Sequence, residues 1–102
     1  MKENNIIQEK SFKFSLRIMK LFRHLRGSKV ERELYSQLLK SGTSIGANIE
    51  EAIGASSRKD FIAKLAISYR EARETNYWLR LLKGDGVLDE KLAESFLADC
   101  TE

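Results

Sequence analysis

Lys40-Ser-Gly-Thr-Ser-Ile-Gly-Ala-Asn-Ile-Glu-Glu-Ala-Ile-Gly54 is the stretch whose reading decides the fold. Local propensity makes it a loop, because Ser, Thr, Asn and Gly all disfavour helix interiors. The apolar spacing makes it a helix. Val30, Leu34, Leu38, Ile45, Ile49 and Ala52 fall on one side of a helical wheel, which predicts a single helix over roughly residues 30–54. Gly42 and Gly46, four apart, then leave two bare backbone patches on one edge, where a neighbouring helix can approach closely. A glycine-rich segment ahead of a helix can also cradle phosphate on its backbone N–H groups. This one has no preceding strand, no Gly-Lys-Ser/Thr ending and no Gly-x-Gly-x-x-Gly. Close helix packing is the better reading.

Outward from this stretch, the chain reads as helical throughout. Proline is absent, and aliphatic and charged residues dominate. A first helix is expected from about Ile6 to Leu25, stopping at Arg26-Gly27-Ser28 with Gly27 as an αL cap. Its core face is Ile7, Phe14, Ile18, Leu21, Phe22 and Leu25, beside a polar stripe of Lys10, Lys13, Arg17, Lys20 and His24. Phe12, Leu16 and Met19 form a second apolar strip on the other side. One helix of a lone bundle needs one buried stripe, so two strips imply a second burial, between subunits. The plainer alternative is a broad core face with a few exposed apolar residues.

A third helix is expected from Arg58 to about Lys83, with Ser57 as its N-cap and Asp60 favouring the dipole. Phe61, Leu65, Tyr69, Ala72, Asn76 and Leu79 define its expected core side. Ala63, Ile67, Trp78 and Leu81 lie opposite, with Glu74 among them. Ile67 and Trp78 therefore join Phe12, Leu16 and Met19 as candidate oligomer-interface residues. Gly84-Asp85-Gly86 turns the chain. A fourth helix opens near Asp89 and carries Leu92, Phe96, Leu97 and Cys100. It reaches only about 20 Å, against nearly 40 Å for the third. Either this helix is truncated, the favoured reading, or a neighbouring subunit covers what it leaves exposed.

At 102 residues, 42% hydrophobic and 32% charged, the sequence describes one globular domain over residues 1–102. It contains no apolar run long enough for a membrane span and no signal peptide. Its single cysteine, Cys100, gives no disulfide framework and points to the cytoplasm. The formal charge of +3 conceals an asymmetry: residues 1–30 hold eight Lys/Arg against two acids, and the remainder ten against thirteen. The basic character belongs to the first helix.

Signals for chemistry are weak. His24 is the only histidine and has no acid four residues away, so it supports no metal site. Cys100 on an apolar helix face reads as core filling. Glu50 and Glu51, adjacent on a helix, point about 100° apart. Ser41, Thr43 and Ser44 have no identifiable base. Neither an enzyme nor a cofactor is expected. Asn48 and Glu51, at i and i+3, suit an interhelical polar clasp with Arg70 or Arg73 that fixes register; the functional alternative is a ligand site.

The pattern Ser44-Ile45-x-x-Asn48-Ile49-x-Glu51, followed by Lys59-Asp60-Phe61, resembles the four-helix-bundle proteins encoded by intervening sequences within bacterial 23S ribosomal RNA genes. Glu74 and Leu79 look like that family's third-helix acid and following leucine. The likeness covers nearly the whole chain. Gly46 and Ala52 depart from it, the latter standing where the family has glycine. The resemblance implies an up-and-down four-helix bundle that forms ring-shaped homopentamers. A related accessory protein of diversity-generating retroelements, similar in fold, binds RNA and a reverse transcriptase through a basic surface.

The expectation is therefore an all-α, up-and-down four-helix bundle with a short fourth helix, cytoplasmic and homo-oligomeric. It would associate with RNA through Lys10, Lys13, Arg17, Lys20, Arg23 and Arg26, a linear positive face. A solvated charged face is the commoner origin of such a run, and no aromatics suited to base stacking interleave it. The alternative function is a structural scaffold that docks a protein partner. Ser44, Asn48, Glu51 and Glu74 make up the expected structural polar motif.

Overall fold

In the computed structural model, the described backbone comprises residues 2–25, 32–86 and 88–101. Four helices follow one another: α1 (Lys2–Leu25), α2 (Arg32–Ile53), α3 (Arg58–Gly84) and α4 (Glu90–Thr101). No strand occurs among the described residues. The expected cap at Gly27, and Arg26, Ser28 and Val30 with it, lie outside them.

Each helix packs antiparallel on the next, forming an all-α, up-and-down bundle about 45 Å long. The register can be followed through close pairs. Gln8 of α1 reaches Glu50 of α2, and Ile18 lies against Gly42. Ser68 of α3 donates to the Ile45 carbonyl of α2, and Thr75 lies beside Ser41. Cys100 of α4 lies on the Ala72 carbonyl of α3. Arg17 pairs with Asp99, and Phe14 meets Phe96 edge-on at 6.4 Å, closing α4 back onto α1.

The stretch that local propensity reads as loop is the middle of the bundle. Ser41, Gly42, Gly46, Ile49 and Ala52 are all buried in α2. The glycine edge faces α1, and a Cβ on Gly42 would stand 2.8 Å from Cγ2 of Ile18. At Gly46 the nearest atoms would be Ser15 Oγ and the Ser11 carbonyl oxygen, at 3.1 and 3.3 Å. The serine edge faces α3. The missing side chains let two neighbours approach one helix, and the burial this permits outweighs poor propensity.

The core is Phe14, Ile18, Leu21 and Leu25 from α1, Tyr35 and Leu38 from α2, Leu79 and Leu82 from α3, and Leu88, Ala93 and Phe96 at α4. Burying each large member contributes about 1.5–3 kcal/mol. Three sequence expectations shift. Ile7, assigned to the core, is half exposed, because the core of α1 begins a turn later at Ser11 and Phe14. Tyr69, assigned to the core side of α3, is 66% exposed. The buried stripe of α3 runs through Ser68, Thr75, Leu79 and Leu82 instead. A hydrophobicity-weighted wheel finds Leu79 but misses Ser68 and Thr75, small hydroxylated residues that pack against α2. On α4 the inward residue is Ala93, and Leu92 faces outward.

The helix ends behave as their residues dictate. Ser57, in extended conformation, accepts the Asp60 N–H at 3.1 Å, a cap of about 1 kcal/mol. Gly86 takes φ +79 where the chain turns after α3. Asp89 Oδ2 accepts from the Leu92 N–H at the start of α4.

Candidate functional site

The first face to consider is the outer strip of α1. Phe12 is 60% exposed, Leu16 44% and Met19 42%, while Phe14, Ile18 and Leu21 on the opposite side of the same helix are buried. Spacings of four and three place the strip on one line. The other two candidate interface residues sit differently. Ile67 is half-buried, and Trp78 packs on the protomer's own core, with Nε1 donating to Glu74 at 3.2 Å.

The basic residues of α1 are not equivalent either. Lys10, Lys13, Lys20 and Arg23 are exposed, and Lys13 has a solvent-exposed pairing with Glu9 at 3.2 Å. Arg17 is committed to the fold. Its guanidinium pairs with Asp99, donates to Ser95 Oγ at 3.1 Å and stands 4.0 Å over the Phe96 ring. Arg26 lies outside the described residues.

A groove runs between the N-terminal half of α1 and the stretch of α3 from Leu65 to Arg80, with Asp99 and Cys100 of α4 at its edge. This groove has a volume of about 1440 Å³. Ile45, Ile49 and Leu65 line its floor, with Lys10 and Lys13 on one wall and Arg70, Arg73 and Arg80 on the other. Tyr69 and Tyr77 also line it from α3. Among the described residues neither Arg70 nor Arg73 has an ion-pair partner. The sequence analysis missed this juxtaposition, because the cations come from helices more than fifty residues apart in the chain.

The polar motif is distributed rather than convergent. Asn48 donates to the Ser44 carbonyl at 2.9 Å and Ser44 Oγ to that of Lys40 at 2.6 Å, so both bond their own helix. Glu51 is exposed. The ties between helices that were expected of Asn48 and Glu51 are made by Ser68, by Thr75 with Ser41, and by Gln8 with Glu50. Glu74 receives the Trp78 indole on the surface.

Cys100 sits at the rim of the groove with Sγ donating to the Ala72 carbonyl at 3.1 Å. Burial pushes its thiol from 9.0 up to about 11, offset in part by the Asn76 backbone. Such a thiol carries little thiolate at neutral pH. No group of three or more His, Cys, Asp or Glu residues able to hold a metal occurs among the described residues. No described helix is long and apolar enough to cross a membrane.

A bundle of this topology with a short last helix meets the model of one family, 23S rRNA-intervening sequence protein, over residues 3–102. The chain belongs to that family. The crystal structure of a protein of unknown function from the S23 ribosomal protein family of Bacteroides thetaiotaomicron is similar to it, with 46% identity and a TM-score of 0.93. The likeness covers 99% of this chain and 89% of that one. No curated protein matches. The 23S rRNA-intervening sequence proteins thus supply a fold for this chain, and its function must be argued from its surfaces.

Proposed function

We propose that this protein is a non-enzymatic, cytoplasmic homo-oligomer, built from five copies, that associates with RNA through a basic surface. The observation that carries the oligomer is the strip Phe12, Leu16 and Met19, exposed on a helix whose other side is fully used in the core. Contiguous large apolar side chains in that position mark an interface. The support for RNA is charge. Lys10, Lys13, Lys20 and Arg23 run along α1, and several copies would multiply their phosphate contacts.

Light scattering on the purified protein, with and without structured ribosomal RNA at two salt concentrations, tests both parts. A multi-subunit species that takes up RNA at low salt and releases it at high salt is expected. Replacing Phe12 and Met19 by Lys should dissociate it with the helices intact. Replacing Lys13, Lys20 and Arg23 by Glu should abolish RNA uptake without changing the assembly. Arg17 is left out of that set because it is engaged with α4, pairing with Asp99 and lying over the Phe96 ring. A monomer, or RNA uptake indifferent to the triple substitution, would refute the corresponding part.

The apolar floor of the groove favours a second reading, a scaffold that docks a protein helix there. An assembled protein indifferent to RNA would direct attention to it.

A further inference from the structure

We propose that the face of α3 carrying Tyr69, Arg73, Tyr77 and Arg80 binds single-stranded RNA, stacking bases on the two tyrosines and holding phosphates with the arginines. The proposal rests on the RNA reading above and deepens it. That reading uses the cations of α1 alone, which have no aromatics between them. The aromatics lie across the groove, on α3.

Four observations carry the inference. Spacings of four, four and three put Tyr69, Arg73, Tyr77 and Arg80 on one side of α3, alternating ring and cation. Both rings are open: Tyr69 is 66% exposed and Tyr77 47%. Rings left in water beside cations offer what a base and its phosphate take, a π-face and a charge-assisted donor. Arg73 has no ion-pair partner among the described residues, while Arg80 donates its Nε to Asn76 Oδ1 at 2.8 Å and keeps its Nη groups for a phosphate. The Tyr77 ring is also held in place. It meets Trp78 edge-on at 5.2 Å, and the Arg80 guanidinium lies 5.9 Å from its centroid. Finally, Lys10 and Lys13 line the same groove from α1, so its cations outnumber its two acids, Glu74 and Asp99, the latter already paired with Arg17.

The dimensions suit a polymer. Tyr69 and Tyr77 are about 12 Å apart along the helix axis, room for two stacked bases with a phosphate at Arg73 between them. At about 1440 Å³ the groove exceeds the roughly 300–1,000 Å³ of a small-ligand pocket. A second copy meeting this face with the same face is a poor occupant, since it would bring its own Lys10, Lys13, Arg70 and Arg73 against the same charges. A duplex cannot present base faces to the rings, so single strands are the preferred form.

The test is fluorescence anisotropy on the full chain with a labelled, unstructured oligoribonucleotide of about eight nucleotides, alongside a duplex of equal charge. Tyr69→Ala and Tyr77→Ala are each expected to weaken single-strand binding about 5- to 100-fold and to leave duplex binding unchanged. Tyr69→Phe and Tyr77→Phe should restore it, because the π-face remains. Arg73→Ala should reduce the slope of log affinity against log salt by about one. Both tyrosines are exposed, and circular dichroism should register no loss of helix.

If the alanine variants bind the single strand as the parent does, while the α1 triple-Glu variant loses RNA, the stacking site is refuted and the α1 reading stands. If no RNA binds at low salt, both fail. If an amphipathic Leu/Glu helical peptide binds and the oligoribonucleotide does not, the groove belongs to a protein partner and the proposal is overturned.

Discussion

Gly42→Ala is the most informative single perturbation of the fold, because two effects of known sign oppose each other there. In an exposed helix the change would stabilise by about 1 kcal/mol. In this bundle the new methyl would stand 2.8 Å from Cγ2 and 2.9 Å from Cγ1 of Ile18. Ile18 is wholly buried, and both atoms sit one bond from its Cβ, so no rotation of a flexible end clears them. Forcing α1 and α2 apart costs about 1–3 kcal/mol. The net expectation is a loss of about 1 kcal/mol, or roughly 4–8 °C in Tm. Urea unfolding followed by far-UV circular dichroism, at one fixed protein concentration because self-association raises apparent stability, measures it. Ile18→Ala alone should cost about 2–5 kcal/mol. In that background Gly42→Ala should change sign and stabilise, a coupling of about 1–3 kcal/mol. A parent protein stabilised by Gly42→Ala would show that α1 does not approach α2 at this point.

Three further outcomes follow from the same geometry. Gly84→Ala, with nothing within 4 Å of the added Cβ, should be stabilising by a few tenths of a kcal/mol, whereas Gly86→Ala at φ +79 should cost about 1–2 kcal/mol in the same unfolding assay. Thr75→Val removes a hydroxyl 3.0 Å from buried Ser41 Oγ and should cost about 1–3 kcal/mol, with Ser41→Ala added in the same chain returning much of that loss. Alkylation of Cys100 should be slow at neutral pH and accelerate as pH nears 11, while the urea-unfolded chain reacts from about 9.0. The folded thiol binds its proton more tightly than the unfolded one. Its contribution to stability is therefore complete below pH 9 and is lost as pH rises through 11.

Fold class was readable in the chain because the 3.6-residue period survives even through Ser41–Gly46, and because Ser57 and Gly86 mark the ends of α3. Family membership was readable for the same local reason: Ser44, Asn48 and Glu51 are a fixed spacing on one helix. Periodicity also separated the two sides of α1, since Phe12, Leu16 and Met19 stand well away from Phe14, Ile18 and Leu21. It failed on α3. In its middle the buried positions are Ser68 and Thr75, and Tyr69 and Tyr77 are exposed, the reverse of what side-chain hydrophobicity selects. How closely α2 approaches α3 decides which residue type fits between them, and that distance is a property of two helices together.

The candidate groove was less legible still. One strand of text shows Lys10 and Lys13 as part of a basic helix, and Arg70, Arg73 and Arg80 as scattered surface charge. Only the packing of the helices brings them to line one groove. Arg17 shows the converse, for the bundle takes it out of the basic stripe by bringing Asp99, eighty-two residues away, to its guanidinium. The sequence by itself determined what depends on neighbours within a few turns: helices, caps, the two-sided α1 and the family pattern. The tertiary structure decided which polar groups are spent on the fold and which remain to meet a ligand, because that allotment depends on contacts between residues distant in the chain.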